Sequence, residues 1–263
     1  KSLVRQVVGL LQAVHKDYRL AQLAMRGLAT EVDSPTEDTI MRFMHLVRSL
    51  SRANLDMNVL RPDAPNKRAV TVWSDSDWAG DRKKRKSVDC VVVEVLGTVV
   101  SVSTKGQMAI AQSSAEAELG GAHRAAHMAV GLQNTWLELF EENLPIGLLM
   151  DSAAGKIMAV RRGKGKVRHL EVKQLYMQEL TNALRVKTYK AKGEENKADI
   201  GTKPMTTRVL QKFYGWLCIE QGDCSTEVVI EERTIDEKVV AGVSGFDAGL
   251  LRKVLGGAVL ASL

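Results

Sequence analysis

The chain is poor in cysteine, in aromatic residues and in uninterrupted apolar runs. Cys90, Cys218 and Cys224 are odd in number and share no paired spacing, which argues against a disulfide framework and against a zinc site. A reducing intracellular compartment is the simplest expectation. Aromatic content is only 5%, so platforms on which bases stack are few. The most apolar stretch, Val239 to Leu263, is interrupted by Asp247, Arg252 and Lys253, and no membrane span is expected from it. No segment near Lys1 has the pattern of a signal peptide. Because Lys1 and not Met opens the sequence, a fragment or processed piece is expected.

What is present is ordinary for a globular protein. The 263 residues are 45% hydrophobic and 26% charged, enough for a buried core in one large domain or two small ones. The net charge is +6 and the pI near 9.2, which favours an acidic partner such as nucleic acid. The cations are clustered. Arg82, Lys83, Lys84, Arg85 and Lys86 form an unbroken run, and Arg161, Arg162, Lys164, Lys166 and Arg168 form a second group.

Periodicity divides the chain. Apolar residues recur at helical spacing in 1–50, for example Val4, Val7, Val8, Leu11 and Val14. Ser34, Pro35 and Glu37 read as cap, first turn and capping-box acid of a helix running to Leu50. A polar connector with two prolines, 61–67, follows. Strands are then expected over 69–74, 91–95 and 99–102, the last two joined by a hairpin at Gly97 and Thr98. Ser113 or Ser114 caps a long helix reaching Leu137. A short strand, 146–150, ends at Asp151; helical stretches near 153–160 and 170–183, a strand at 185–189 and a short helix at 194–202 complete the pattern. A mixed α/β sheet layered with helices is therefore expected. One more helix is expected around Leu210, Phe213, Tyr214 and Leu217.

Four carboxylates hold telling places in that order. Asp75 ends the first strand, Glu118 lies in the first turns of the long helix, Asp151 ends the fourth strand, and Asp199 opens the last short helix. Strand ends and helix starts of an α/β sheet gather at one edge. Carboxylates meeting there offer the hard oxygen ligands that divalent cations prefer. Taken singly, each acid is more often a turn residue, a helix cap or a partner of the helix dipole.

The motifs resemble those of ribonuclease H domains in copia-type retrotransposon polyproteins. The stretch Trp73, Ser74, Asp75, Ser76, Asp77, Trp78, Ala79, Gly80, Asp81 is similar to the family's first motif. Ser113 to Leu119 resembles its Ser-Ser-x-Glu-Ala-Glu helix start, and Met150, Asp151 and Ser152 take the place of its third motif. Lys166 to Glu171 resembles a basic segment with His169, and Asn196 to Pro204 is similar to the Ala-Asp-x-x-Thr-Lys-Pro ending. Upstream, 1–60 resembles the last helices of a reverse transcriptase, without that polymerase's paired-aspartate motif.

The resemblance implies a ribonuclease H-like mixed sheet, β-β-β-α-β-α-β-α, flanked by helices and preceded by a small helical segment. It implies three regions: a reverse transcriptase thumb or connection segment (1–68), a ribonuclease H-like domain (69–204), and a C-terminal helix and tail (205–263). Asp75, Glu118, Asp151 and Asp199 become ligands of two Mg²⁺ or Mn²⁺ ions, with Asp75 taken over Asp77 and Glu118 over Glu116. The implied reaction is hydrolysis of the RNA strand of an RNA–DNA hybrid by two-metal-ion catalysis. The implied partners are that hybrid and the remainder of the Pol polyprotein, in the cytoplasm, nucleus or a virus-like particle, with no membrane. Ser114 and Ser152 are candidates for 2′-hydroxyl contacts or for helix caps. Lys83, Lys84 and Arg85 are candidates for phosphate contacts or a solvated loop, and His169 for a substrate contact, a proton carrier or a structural residue.

The sequence also departs from the family. Asp89 stands where a small Gly is usual, opening the second strand, and calls for solvent or a partner. Thr104, Lys105, Gly106 and Gln107 loosen a Ser-Lys-Lys-Gln turn. The segment 190–195, just before Asp199, contains no His; Glu194 and Glu195 stand there instead. The competing readings are a binding remnant that no longer cleaves and an integrase-like recombinase, whose three-acid site and different ending fit less well.

Overall fold

The computed structural model describes residues 5, 8, 9, 18–52, 56–58, 68–81, 84–163, 172–217 and 219–221. They belong to two compact units, one formed by 1–58 with 219–263 and the other by 59–218. The polar connector 61–67 and the apolar stretch from Val239 lie outside the described residues.

In the first unit a short 3-10 turn, Arg19–Ala21, leads into α1 (Gln22–Glu31), followed by α2 (Glu37–Arg52). The helices pack through Met25 and Leu28 of one and Phe43, Leu46, Val47 and Leu50 of the other, all buried. The cap of α2 differs from the expected one. Thr36, not Ser34, accepts at its hydroxyl from Thr39 N (3.2 Å), while Thr36 N donates to Thr39 Oγ1 (3.1 Å). The reciprocal pair satisfies two helix-end donors that Ser34 is too far upstream to reach. A two-stranded antiparallel ribbon, β1 (Asp56–Asn58) with Ile219–Gln221, joins the two ends of this unit.

The second unit is built on β2 (Val70–Asp81), β3 (Lys86–Val95), β4 (Thr98–Gly106), α3 (Ser114–Phe140), β5 (Ile146–Met150), α4 (Ala153–Val160), α5 (Val172–Asn182) and β6 (Val186–Lys190). Two 3-10 turns, Gly193–Glu195 and Lys197–Gly201, and α6 (Thr207–Trp216) follow, before the chain returns to the ribbon strand β7 (Ile219–Gln221). The sheet order is β4-β3-β2-β5-β6. Strands β4, β3 and β2 are antiparallel neighbours, whereas β5 and β6 run parallel to β2. This is the expected ribonuclease H-like mixed sheet flanked by helices. The two helices of the β5-to-β6 crossover fall on the expected helical stretches, and one detail differs: the last short helix is a pair of 3-10 turns.

The hairpin between β3 and β4 turns on Leu96 and Gly97, one residue earlier than expected. Both have positive φ, 51° and 82°. Two left-handed residues in a two-residue loop match the strand twist of a hairpin, and Gly meets that demand without strain.

Alternation along the strands separates two faces. Val70, Val72, Val91 and Val93 point to α3 and are fully buried. Each such side chain contributes roughly 1.5–3 kcal/mol on burial. The facing side of α3 is small: Ala122, Ala125, Ala126 and Ala129. Gly121 lies so close to β2 that a Cβ there would run into Ser76 and meet Ser74 Oγ at 3.0 Å.

The opposite face of the sheet carries Trp73 and Asp75 on β2 and Glu94 and Cys90 on β3, with Thr71 paired to Glu94 and Asp75 to Cys90. The turn Lys197–Gly201 covers it: a Cβ on Gly201 would strike Thr104 and Cys90. Cys90 is thereby sealed in, and burial pushes its thiol up to about 12, so it is an inert packing residue.

Asp89 does not open β3 but lies inside it, 3% exposed. Its partner is Arg124 of α3, whose Nε donates to Asp89 Oδ1 at 2.5 Å. Arg124 also donates to the carbonyls of Asp89 (3.2 Å) and Ser103 (2.8 Å). The planar guanidinium thus bridges α3, β3 and β4 and meets the need the buried charge creates.

Candidate active site

Asp75 reaches its position through strand pairing. The parallel ladder between β2 and β5 stops at Ser74 and Met150, while β2 continues beside β3 as far as Asp81. Asp75 therefore lies within a strand, not at its end, but one residue past the last β5 partner. Asp151 directly follows β5, so the two acids leave adjacent strands at one edge.

Glu118 arrives from α3, in the helix's second turn. The helix start is fixed by two caps: Ser113 Oγ accepts from Glu116 N (3.2 Å), and Glu116 Oε2 accepts from Gln112 N (2.8 Å). Glu116 is consumed there, and Ser113, not Ser114, supplies the capping hydroxyl. Gly155 of α4 lies against Glu118; a Cβ there would stand 2.9 Å from Glu118 Cβ.

Asp75, Glu118 and Asp151 each present a carboxylate oxygen within 4.8 Å of the other two. Asp75 and Glu118 are buried and Asp151 is half-buried. Asp75 Oδ2 accepts the hydroxyl of Thr202. Glu118 Oε2 is buried with no hydrogen-bond partner among the described residues. A buried acceptor without a donor is costly unless a cation or proton meets it.

Asp199 stands beside this group. Asn196 anchors its turn: Oδ1 accepts from Ala198 N (3.2 Å) and Nδ2 donates to the carbonyl of Ser74 (3.3 Å). A second anchor is Glu94, 2% exposed, which accepts from Lys197 Nζ (2.5 Å) and from Trp73 Nε1 (3.0 Å). Lys203 closes the arrangement. Its ammonium donates to Asp199 Oδ1 at 2.9 Å and lies 3.7 Å from Asp75 Oδ1.

The electrostatics follow from crowding. Burial, then the charges of Asp75 and Asp151, push the Glu118 carboxyl up to about 8. Burial raises Asp199 to about 6, against the hydrogen bond from Lys203. Burial and Asp75 also raise Asp151. Burial opposes the charge on Lys203, but the hydrogen bond to Asp199 and the surrounding carboxylates outweigh it and raise its pKa. Such a set favours whatever brings positive charge.

The donor set fits a hard divalent cation. Three convergent carboxylates supply oxygen ligands, and the unpartnered Glu118 oxygen is the atom such an ion would satisfy. Cys, which would favour a softer metal, takes no part in the group.

The other expected residues fall as follows. Lys84 and Arg85 are exposed in the β2–β3 turn, with Arg85 at φ 57° and Lys84 N donating to Asp81 Oδ1 (3.0 Å). Ser114 is exposed at the start of α3. Ser152 caps α4, its Oγ accepting from Gly155 N at 3.0 Å. Lys83 and His169 lie outside the described residues. Glu195 pairs with Lys192 (3.3 Å), and a Cβ on Gly193 would approach Asp151 Oδ2 to 3.8 Å. Thr202 and Lys203 were not expected to take part. Their signal was the Thr-Lys that follows Asp199 at three and four residues, the spacing of one helical turn.

No model of a known protein family matches the chain, and no curated protein matches it. Among solved structures it is similar to the N-terminal RNase H domain of Rv2228c from Mycobacterium tuberculosis, a fusion with maltose-binding protein. That likeness has 18% identity, covers 55% of this chain and 97% of the other, and has a TM-score of 0.35. It is also similar to the foamy viral protease-reverse transcriptase in complex with an RNA/DNA hybrid, with 13% identity and a TM-score of 0.49. That match covers 78% of this chain but spans only 26% of the viral chain. At these scores the fold of this protein rests on its own sheet order, and its chemistry on its own side chains.

Proposed function

We propose that the chain is the ribonuclease H part of a copia-type reverse transcriptase, hydrolysing the RNA strand of RNA–DNA hybrids with two Mg²⁺ or Mn²⁺ ions. The observation that carries this reading is the convergence of Asp75, Glu118 and Asp151 around a buried, unpartnered carboxylate oxygen. Asp75, Glu118 and Asp151 would hold one ion, and Asp199 with Asp75 the other. Bound divalent ions supply the Lewis acidity that activates a water and steadies the leaving oxygen of a phosphodiester.

The chain's own groups do the rest. Thr202 fixes the Asp75 carboxylate by donating to Oδ2. Gly155 and the Ser113–Glu116 cap fix the approach of Glu118. Lys84 and Arg85 project from an exposed turn where phosphates can be met, with Lys83 and His169 as further candidates from the sequence. Ser114 remains free to meet 2′-hydroxyls, and Ser152, as an acceptor in its cap, still has a proton to donate. Within this reading, 1–68 is the end of the polymerase, 69–204 the nuclease and 205–263 an appended helix and tail. The rest of the polyprotein is a partner, inside a cell or a virus-like particle. Among the described residues no helix is long and apolar enough to cross a membrane.

The test is strand choice. Labelled RNA in a hybrid, RNA alone and double-stranded RNA are each incubated with the chain and Mg²⁺. Cleavage of the hybrid alone is expected. Binding of the hybrid without cleavage would favour the remnant reading instead.

A further inference from the structure

The four acids are not equivalent. Asp75, Glu118 and Asp151 bring carboxylate oxygens within 4.8 Å of one another, while Asp199 lies to one side and holds the Lys203 ammonium at 2.9 Å. Asp75 is shared: one oxygen takes the Thr202 hydroxyl and the other faces the Lys203 ammonium at 3.7 Å.

Lys203 is built to leave. Its backbone N donates to the carbonyl of Asp199 at 3.0 Å, so the residue is tethered on the same turn. Its side chain is 50% exposed, against 3% for Asp75 and 15% for Asp199. The half-exposed ammonium can therefore swing fully into water and be hydrated there, whereas the buried carboxylates are held in place.

Charge decides when it leaves. With all four carboxylates deprotonated, as ion binding requires, the acids and one ammonium carry a net charge of minus three. One divalent ion among Asp75, Glu118 and Asp151 brings this to minus one with Lys203 in place. A second divalent ion would make the cluster positive unless the ammonium withdraws, and like charges a few ångströms apart repel strongly.

Resting on the metal-site reading above, we propose that Lys203 is a displaceable counter-cation. It occupies the Asp75–Asp199 side of the site until a second divalent ion enters, and so makes ion loading sequential. The first ion binds among three acids that need no rearrangement. The second competes with a side chain tied to the same acids.

Calorimetric titration of the full, metal-free chain with Mn²⁺ tests this, with thermal melting of each variant alongside. The unmodified chain should show a tighter and a weaker event. Lys203→Gln should tighten the weaker event about tenfold while moving the tighter one less. It should also lower the melting temperature without metal and enlarge the rise on adding Mn²⁺. Lys203→Arg keeps the charge and should keep the two events apart, which guards against misfolding of the neutral variant. Glu118→Gln should remove the tighter event. An unchanged or weakened second event in Lys203→Gln, with both events present in the unmodified chain, would overturn the proposal and leave the metal site standing. No Mn²⁺ binding by the unmodified chain would overturn both.

Discussion

At the scale of single residues, Glu118 carries the most informative tension. Its carboxyl ordinarily titrates near 4.5 and is pushed up to about 8 by burial and by Asp75 and Asp151. Between those values the folded chain holds a proton that the unfolded chain has released. Metal-free stability therefore falls as pH rises through that window. Glu118→Gln keeps the shape and removes the titration, so it should raise the metal-free melting temperature at pH 8 by a few degrees. The gain should vanish near pH 4.5, where both states of the unmodified chain are protonated. Ion binding has the opposite trend, because ligands must lose their protons. Mn²⁺ affinity should rise with pH from about 6, where Asp199 titrates, to about 8, where Glu118 does. A flat calorimetric profile across that range would contradict the assignment of these acids as ligands.

Elements place those residues, one of them by close contact. The turn Lys197–Gly201 lies on the sheet because Gly201 has no side chain where Thr104 and Cys90 stand. Gly201→Ala should lift the turn, cost about 1–3 kcal/mol in urea denaturation, and slow cleavage by displacing Asp199 and Lys203. Ion binding among Asp75, Glu118 and Asp151 should survive but weaken, because Thr202, next to Gly201, holds the Asp75 carboxylate. The Arg124 bridge works differently. Arg124→Met strands the buried Asp89 charge and should cost roughly 3–5 kcal/mol, whereas Arg124→Met with Asp89→Val removes both charges and should recover much of the loss. Equal losses in the single and double variants would show that the Asp89 charge left behind carries no penalty of its own.

Over the whole molecule, what could be read in advance follows from range. The elements and their order along the chain were legible because β-branched alternation, a hairpin signal and a capped long helix are local patterns, whereas the ribonuclease H-like arrangement of the sheet was implied by the motif resemblance. Asp75, Glu118, Asp151 and Asp199 could be named because each belongs to a motif of the family that the chain resembles, although Asp75 lies inside its strand. The Asp89–Arg124 bridge could not, because its partners are 35 residues apart and meet only once α3 lies on β3. Lys203 and Thr202 were visible as part of a motif, but their contacts depend on a turn folding back over the sheet to Asp75, 127 residues from Thr202. The shifts of cap from Ser34 to Thr36 and of hairpin from Gly97 and Thr98 to Leu96 and Gly97 are one or two residues, within the reach of local hydrogen-bond competition. The basic run beside β3 belongs to this scale too. If it meets phosphates, hybrid affinity should fall steeply with salt, by about tenfold or more between 50 and 200 mM. A salt-insensitive affinity would assign the run to solvent.

The central claim is that Asp75, Glu118 and Asp151 together hold the ion that RNA cleavage needs. It is tested most directly by cleavage of a labelled RNA–DNA hybrid in Mg²⁺ by the unmodified chain, Asp75→Asn, Glu118→Gln and Asp151→Asn. Each variant should lose activity by about 100-fold or more, some 3 kcal/mol of barrier, while still binding the hybrid. Cleavage at undiminished rate in any one of the three would contradict the account.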